Sequence, residues 1–166
     1  MKNSKFENHL LLKNGKSINK RFIEDKYLPY IVFGSNGVIG YTNTYNVEEN
    51  SIIIGRVGAN CGSIQFSKDK SWATDNTIVA TVKSNNDPKY WFYLLSSLNL
   101  RNFAIGSAQP MLKQSIINSL EFKIHDYYSQ KVIGNLLSTL DAKINLNNQI
   151  NEKLEETAKA IYNEWF

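Results

Sequence analysis

The first residues that could do chemistry are three spaced glycines, Gly34, Gly37 and Gly40, which follow a short run of apolar and β-branched residues. A strand that runs into spaced glycines is typical of loops that cradle a nucleotide phosphate. Here the spacing is G-x-x-G-x-x-G, and the residues after Gly40 lack helical periodicity, so no helix N-terminus would face a phosphate. We therefore interpret the glycines as turn residues with positive φ in a β-rich domain, or as a loop that approaches a ligand closely.

Other reactive residue types do not combine into a catalytic constellation. His9 and His125 have no Ser, Cys or carboxylate at the spacing of a relay, and we expect both at the surface or at sheet edges. Asp69 and Asp75 lack the Glu-x-Lys partner of common nucleases. The D-P-K-Y stretch from Asp87 departs from the D-P-P-Y loop of amino-methyltransferases and follows no glycine-rich cofactor loop. The sequence predicts neither an active site nor a metal site in this chain.

The cysteine content and the lengths of the apolar runs indicate the cellular compartment of the protein. Cys61 is the single cysteine, has no zinc ligands near it in sequence, and is interpreted as a small turn or core residue. One cysteine cannot form an internal disulfide, which favours a reducing, cytoplasmic location. The longest apolar runs, L-L-L at 10–12 and Y-W-F-Y-L-L at 90–95, are too short for a signal peptide or a membrane span.

Charge is distributed unevenly along the chain. The 19 Lys and Arg residues exceed the 15 Asp and Glu residues, which gives a net charge of +4. Residues 1–128 hold 15 basic against 10 acidic residues and the remainder holds 4 against 5, so the two parts carry +5 and −1. The first part therefore favours a polyanion such as DNA as its partner.

The pattern of the first 128 residues predicts an irregular β-rich domain with small helices. Short β-like runs broken by Gly and Asn lie between Phe22 and Val82, namely P-Y-I-V-F, S-I-I-I-G, G-S-I-Q-F-S and N-T-I-V-A-T-V. A helix is predicted from Pro88, because apolar residues then recur at helical spacing as far as Leu98. A short helix near 112–119 and a strand at 120–124 follow. The predicted fold class is α+β.

Residues 129–166 predict a separate element, one long coiled-coil helix. No glycine follows Gly134 and no proline follows Pro110, so nothing breaks a helix of some 35 residues. Seven of the nine seam positions from Leu137 onward are apolar, and one further position precedes them. The predicted seam consists of Ile133, Leu137, Leu140, Ile144, Asn147, Asn151, Leu154, Ala158, Ile161 and Trp165.

Two polar seam positions and the missing partner give this helix its predicted role. Asn147 and Asn151 would fix the register and the choice of partner, while the alternative is a solvated kink in a merely amphipathic helix. The sequence predicts no second long helix that could cover the apolar seam. The partner must therefore be another chain, either a second copy or a different protein.

The polar residues of the β-rich domain include types that read nucleic acid. Asn and Gln pair with adenine, Arg pairs with guanine, and Ser, Thr and Lys hold phosphates. Loop asparagines are also common turn residues, and this role is the alternative for many of these positions. The candidates for DNA contact are Ser35, Asn36, Asn43, Arg56, Asn60, Lys68, Thr74, Asn76, Gln109, Lys113 and Gln114.

Several stretches, in order, resemble the target recognition domain of type I restriction-modification specificity subunits. They are Y-I-V-F-G-S-N-G-V-I-G-Y from Tyr30, S-I-I-I-G-R-V-G-A-N-C-G from Ser51, W-A-T-D-N-T from Trp72 and G-S-A-Q-P-M-L-K-Q from Gly106. The stretch L-L-S-T-L-D-A-K-I-N-L-N-N-Q-I from Leu136 is similar to the conserved helix that follows such a domain. The resemblance runs from about residue 12 to the end.

The resemblance implies a non-catalytic subunit that binds double-stranded DNA and positions a methyltransferase subunit, with a restriction subunit as a further partner. S-adenosylmethionine, Mg and ATP would then belong to the partner subunits, and no cofactor is expected in this chain. Family members typically carry two recognition domains and two helices, whereas this chain shows one of each. We therefore expect a half-length subunit whose two copies dimerise through the helix and read an inverted repeat, or a piece of a longer protein.

Two other functions are compatible with the sequence. The first is an assembly or decoy module that pairs with other specificity subunits and has no DNA preference of its own. The second is a solitary nuclease or methyltransferase, which the missing catalytic motifs disfavour.

Overall fold

The computed structural model describes residues 2–24 and 27–165. Within these residues, nine strands and three α-helices are joined by short 3₁₀ turns. The strands are β1 (Lys2–Lys5), β2 (Leu10–Asn14), β3 (Tyr30–Gly34), β4 (Gly37–Thr42), β5 (Ser51–Gly55), β6 (Ile64–Ser67), β7 (Ser71–Ala73), β8 (Thr77–Val82) and β9 (Glu121–Ile124). The helices are α1 (Pro88–Ser97), α2 (Gln114–Ser119) and α3 (Tyr127–Trp165). This confirms the predicted α+β class and the long C-terminal helix.

The strands form three sheets. The largest has four strands in the order β2-β8-β5-β6, all antiparallel, with Ile53 of β5 opposite Val79 of β8. A second sheet has the order β4-β3-β7, in which β3 and β7 run parallel and pair Val32 with Trp72. The third sheet pairs β1 with β9 and so joins the two ends of the domain.

Both faces of the four-stranded sheet are covered, which explains why its central strands are continuously apolar. Ile52 and Ile54 lie in the main core with Trp91 of α1, while Ile53 between them faces the opposite way and packs with Phe33 and its neighbours in a second cluster. Successive side chains of a strand point to opposite faces, so a strand between two layers needs an apolar residue at every position. The run S-I-I-I-G is buried at all five positions.

Helix α1 follows the predicted pattern. Pro88 occupies the first turn, and the Asp87 side chain caps the helix by accepting a hydrogen bond from Tyr90 N at 2.8 Å. Trp91 is fully buried and meets the Phe6 ring edge-on, with ring centroids 5.0 Å apart. The indole Nε1 donates to Asn86 Oδ1 at 3.3 Å, so the buried polar atom of Trp91 has a partner.

Both histidines lie next to edge strands. His9 precedes β2, where its Nδ1 lies 2.8 Å from Asn86 Oδ1 and its Nε2 lies 2.9 Å from Ser4 Oγ. His125 follows β9 and sets its ring edge-on to Tyr90 at 5.9 Å. Both side chains are half-buried and hold structural contacts.

The start of α3 is fastened to the domain through α1. The buried side chain of Gln130 accepts from Asp87 N at 2.9 Å, and Tyr93 OH donates to Asp141 Oδ2 at 2.6 Å. Burial, and then the contact with Asp141, raises the pKa of Tyr93 to about 12, so the phenol stays a donor. Ile133, predicted as the first seam position, instead packs against the main core.

The cap of α3 is Asp126, whose Oδ1 accepts from Ser129 N at 3.0 Å. This bond and the one from the Ser129 hydroxyl lower the pKa of Asp126. From position 139 to 165 every residue of the helix is exposed. Among residues 2–24 and 27–165, none of the helices combines the length and the apolar composition of a membrane span.

The β3–β4 hairpin shows which of the three glycines need positive φ. Gly37 and Gly40 have φ of 107° and 146°, as expected, whereas the expectation of positive φ was wrong for Gly34. A Cβ at Gly34 would lie 3.1 Å from Ile39 Cγ2, so this position needs a small residue for packing. Gly40 lies where Tyr41 forms a bridge with Glu24, and a Cβ there would meet Ile23 and come within 2.8 Å of Glu24 O.

The replacement Gly134→Ala tests the fastening of α3. A methyl group at this position would lie 2.9 Å from Tyr90 N, so we expect the free energy of unfolding to fall by about 1–3 kcal/mol through overpacking. Urea unfolding would measure it. Asn148→Ala, on the exposed part of α3, is the control and should have little effect or a small gain. A gain for Gly134→Ala would contradict the close contact between α1 and α3.

Gly40→Ala and Gly37→Ala form a matched pair, because both positions have positive φ. At Gly37 the nearest atom to an added Cβ is the flexible end of Gln65 at 3.1 Å, whereas at Gly40 it meets the 23–24 segment. We expect Gly40→Ala to lower the free energy of unfolding by about 2 kcal/mol more than Gly37→Ala. Equal losses in thermal or urea unfolding would show that the 23–24 segment does not pack on β4.

Candidate nucleic-acid interface

Four loops meet at one side of the domain, which we call the loop edge: the hairpin turn at 35–36, the turn at 56–63, the turn at 74–76 and the loop at 105–111. Ser63 Oγ donates to Ser35 O at 2.7 Å, which joins the first two loops. Arg56 N donates to Asn76 O at 2.8 Å, and Gly58 N donates to Pro110 O at 2.9 Å. One side-chain and two backbone hydrogen bonds therefore hold the four loops in fixed positions relative to one another.

The loop edge collects most of the sequence candidates for DNA contact. Lys113 and Gln114 follow directly, since Leu112 N donates to Arg56 O at 2.8 Å. Two candidates lie elsewhere: Asn43 is beyond the far end of β4, and Lys68 lines a groove beside α3. The candidates within the loop edge are Ser35, Asn36, Arg56, Asn60, Thr74, Asn76 and Gln109.

Some of these side chains also hold the loops together. Arg56 Nη1 donates to Asp75 O at 3.2 Å, and Nη2 lies 3.9 Å from the sulfur of Met111. The amide of Gln114 lies 2.7 Å from Asn14 Oδ1. Their role in reading bases stays a prediction, and both side chains also make contacts within the domain.

A polar cleft of about 280 Å³ opens between the hairpin turn and the 74–76 turn. We call it the Thr74 cleft. Lys20 and Asp75 are exposed at its rim. Ile18, Ile23, Ile39, Asn36, Asn76 and Thr74 are among the residues that line it.

A second cavity, of about 420 Å³, lies on the other side of the 17–24 segment and is lined by Phe22, Leu28, Asn43 and Trp72 among others. The Phe22 ring is 55% exposed and carries the Arg21 guanidinium 4.9 Å from its centroid. Such an exposed pair of cation and ring can stack on a base or hold a phosphate. The sequence prediction missed this pair, although K-R-F at 20–22 is the signal that could have indicated it.

Cys61 is a core residue, as predicted. Its side chain is 3% exposed and the thiol donates to Arg56 O at 3.2 Å. Burial raises its pKa, so the thiol stays protonated and unreactive. In the ranges 2–24 and 27–165 no three His, Cys, Asp or Glu side chains lie together as metal ligands would.

Known proteins share this sequence pattern and fold. The family model of the type I restriction modification DNA specificity domain matches residues 6–156. The EcoprrI specificity subunit of Escherichia coli is 32% identical over 122 residues, which are 74% of this chain and 30% of that protein. The HindI specificity subunit of Haemophilus influenzae is 31% identical over 105 residues, which are 55% of this chain and 23% of that protein. The chain thus spans less than a third of the curated relatives it matches.

Solved structures show the same fold at low sequence identity. The S subunit of a type I system from M. genitalium aligns with a TM-score of 0.76 at 21% identity, covering 87% of this chain and 40% of that chain. The HsdS subunit from Thermoanaerobacter tengcongensis aligns with a TM-score of 0.63 at 10% identity, covering 86% and 38%. With a recognition domain followed by one long helix, and a family match over most of its length, the chain belongs to the type I restriction-modification DNA specificity family.

Proposed function

We propose that this chain is the non-catalytic DNA reader of a type I restriction-modification system and that its loop edge contacts one half of a bipartite target. The observation that carries the proposal is the loop edge itself, where four chain segments bring seven candidate side chains together. Asn36, Asn60, Asn76 and Gln109 are exposed there, and their amides can donate to and accept from base edges.

The distribution of charge along the chain supports binding of the domain to DNA. The excess of five positive charges lies in residues 1–128, while residues 129–166 carry −1. Near the loop edge, Lys20, Arg101 and Lys113 are exposed, and Arg101 Nη1 donates to Ala59 O at 2.9 Å. We infer that such side chains hold phosphates and make binding sensitive to salt, while the amides supply the sequence preference.

We propose that the exposed part of α3, from position 139 onward, joins two copies of the chain. Leu140, Ile144 and Leu154 are 48%, 56% and 63% exposed, and they share one face of the helix with Ile161 and Trp165. A single helix cannot bury such a stripe, and the described part of the chain has no second long helix to cover it. A second copy supplies an identical stripe and aligns its Asn147 and Asn151 amides in one register.

The apolar face of α3 is wider than this seam. Leu136, Leu146 and Ile150 are 62%, 55% and 47% exposed and lie beside the seam residues. We propose that a methyltransferase subunit docks here and supplies S-adenosylmethionine, while a restriction subunit supplies the Mg- and ATP-dependent activity. A related chain from a study of complex assembly and conformational transition of the type I R-M system, with a TM-score of 0.68, supports such an assembly. The expected location is the cytoplasm.

One alternative has a specific observation in its favour. The exposed stripe of α3 would equally let the chain pair with other specificity subunits and act as an assembly or decoy module. The two functions differ in DNA preference. The reader binds a preferred sequence, whereas the decoy assembles with other subunits and protects no sequence in footprinting.

The proposed function is tested by selection from a random duplex library with the purified chain and its methyltransferase partner. We expect enrichment of an inverted repeat with two half-sites, and binding that weakens steeply as salt is raised. Recovery of random sequence with the partner present would contradict the proposal. Methyl transfer or cleavage by the chain alone would contradict its non-catalytic role.

Replacing Leu140, Ile144 and Leu154 together by Gln tests the seam. We expect a folded monomer in sedimentation, because these exposed side chains contribute nothing to the domain core. Affinity for the selected duplex should fall on the order of a hundredfold or more, since the two half-sites are no longer bound by one particle.

The matched control changes the opposite, polar face of the same helix: Glu152, Glu156 and Lys159 are replaced by Gln. These residues are exposed and lie outside the predicted seam, so the control should keep both its mass in solution and its affinity. A dimer that survives the seam replacement would show that association uses another surface.

A further inference from the structure

We infer that the stretch K-S-I-N-K-R-F at 16–22, which we call the basic segment, is a second DNA-contacting surface outside the loop edge. Its ligand is the phosphate backbone of duplex DNA of any sequence, held by Lys16, Lys20 and Arg21. Its placement rests on the proposed function, which sets the DNA against the loop edge. Lys16 and Arg21 were not among the sequence candidates for DNA contact.

The basic segment begins where the four-stranded sheet meets the loop edge. It follows β2, which ends opposite the start of β8 and so next to the 74–76 turn. Lys16 N donates to Ala73 O at 2.9 Å, and Trp72 Nε1 donates to Lys16 O at 3.0 Å. Lys20 lines the Thr74 cleft together with the β3–β4 hairpin turn. A duplex bound at the loop edge therefore lies within reach of the basic segment.

The three cations of the basic segment lack partners within the domain. All three side chains are exposed, and in the ranges 2–24 and 27–165 none of them forms an ion pair or donates a side-chain hydrogen bond. Glu24 and Asp75 line the same two cavities as Arg21 and Lys20, yet they pair with neither cation. Like charges this close in sequence repel one another, and a bound polyanion removes that repulsion.

The guanidinium of Arg21 is held in place by an aromatic ring. It lies 4.9 Å from the centroid of the Phe22 ring, which is 55% exposed. Stacking on a ring uses the flat face of a guanidinium and leaves its N–H donors free for a phosphate. The other two arginines of the chain, Arg56 and Arg101, donate to backbone carbonyl groups instead. Arg21 therefore offers a phosphate the donors that those two arginines use within the domain.

The backbone of the basic segment is also fixed beyond its start. Asn19 Oδ1 accepts from Arg21 N at 3.1 Å and caps a short 3₁₀ turn. Just after the segment, Glu24 N donates to Tyr41 O at 2.9 Å and so ties the chain to β4. Preorganised groups lose less entropy on binding than mobile ones do. The segment can therefore bind DNA without a change of its backbone.

Three cations within six residues match a run of phosphates. Six residues of extended chain span about 20 Å at most, and each DNA strand carries one phosphate per about 3.4 Å of helix axis. Contacts to successive phosphates add affinity for every duplex but carry no sequence information. The basic segment therefore adds affinity, while the amides of the loop edge supply the preference.

The test removes two of the three charges. Lys16→Gln is combined with Arg21→Gln, and Lys20 is left because the proposed function already uses it. The matched control combines Lys123→Gln with Lys131→Gln, which removes two exposed cations from β9 and α3. Each protein, with the methyltransferase partner, is titrated with the selected duplex and with a random duplex at several salt concentrations.

We expect the double replacement in the basic segment to weaken binding of both duplexes on the order of tenfold. The slope of log affinity against log salt should become shallower by about two for each half-site. The ratio of the two affinities should stay that of wild type, and so should the melting temperature, because both side chains are exposed. The control should bind both duplexes as wild type does.

The outcomes separate this surface from the proposed function. Unchanged affinity and slope after the double replacement would overturn the inference. A loss confined to the selected duplex would overturn it too, since the segment would then read bases. A wild type that prefers no sequence overturns the proposed function, whereas a shallower slope with the random duplex would still support the basic segment as a phosphate contact.

Discussion

The main physical constraint on this chain is that the apolar stripe of α3 is exposed to water. The first turns of this helix are held by Gln130, Gly134 and Asp141 against α1, and from position 139 to the end every residue is exposed. A helix in water gains most of its stability from packing its apolar face, so a stripe of this length needs a partner helix. The contact of Tyr93 with Asp141 fixes the direction in which the stripe leaves the domain. Any second copy bound to it is therefore placed at a defined distance and angle.

The domain before α3 holds four irregular loops in fixed positions. The four-stranded sheet is covered by α1 on one face and by the β4-β3-β7 sheet on the other, and its central strand β5 is buried along its whole length. The loops that leave this rigid centre are tied to one another by backbone hydrogen bonds such as the one from Arg56 to Asn76. Arg56 shows how closely scaffold and surface are combined, because its guanidinium also holds Asp75 O. A rigid centre with short tied loops suits recognition by shape and hydrogen bonding.

Pattern alone predicted the elements whose residues are uniform or periodic. Strand β5 has the predicted bounds, α1 begins at Pro88 as expected, and α3 begins two residues earlier than predicted. Strands β1, β2, β4 and β7 were not among the predicted runs. The stretch K-N-S-K is polar and G-V-I-G-Y-T is broken by glycine, and these two become strands by pairing, β1 with the distant β9 and β4 with β3. Composition indicated Thr74 as a candidate, but the burial of its hydroxyl, which has no partner within the described ranges, depends on packing and has no sequence signal. The Arg21–Phe22 pair does have a signal in K-R-F at 20–22, but it was missed because exposure of the Phe22 ring is a tertiary property.

We propose that α3 holds two copies at a fixed separation and that each loop edge reads one half of an inverted repeat. A spacer series tests this most directly. Duplexes that carry both selected half-sites, separated by the selected spacer or by one to five base pairs more or fewer, are titrated with the chain and its methyltransferase partner. We expect affinity to peak at one spacer length and to fall on the order of a hundredfold when the spacer differs by half a helical turn. Equal affinity at every spacer length would show that α3 does not set the distance between the two readers.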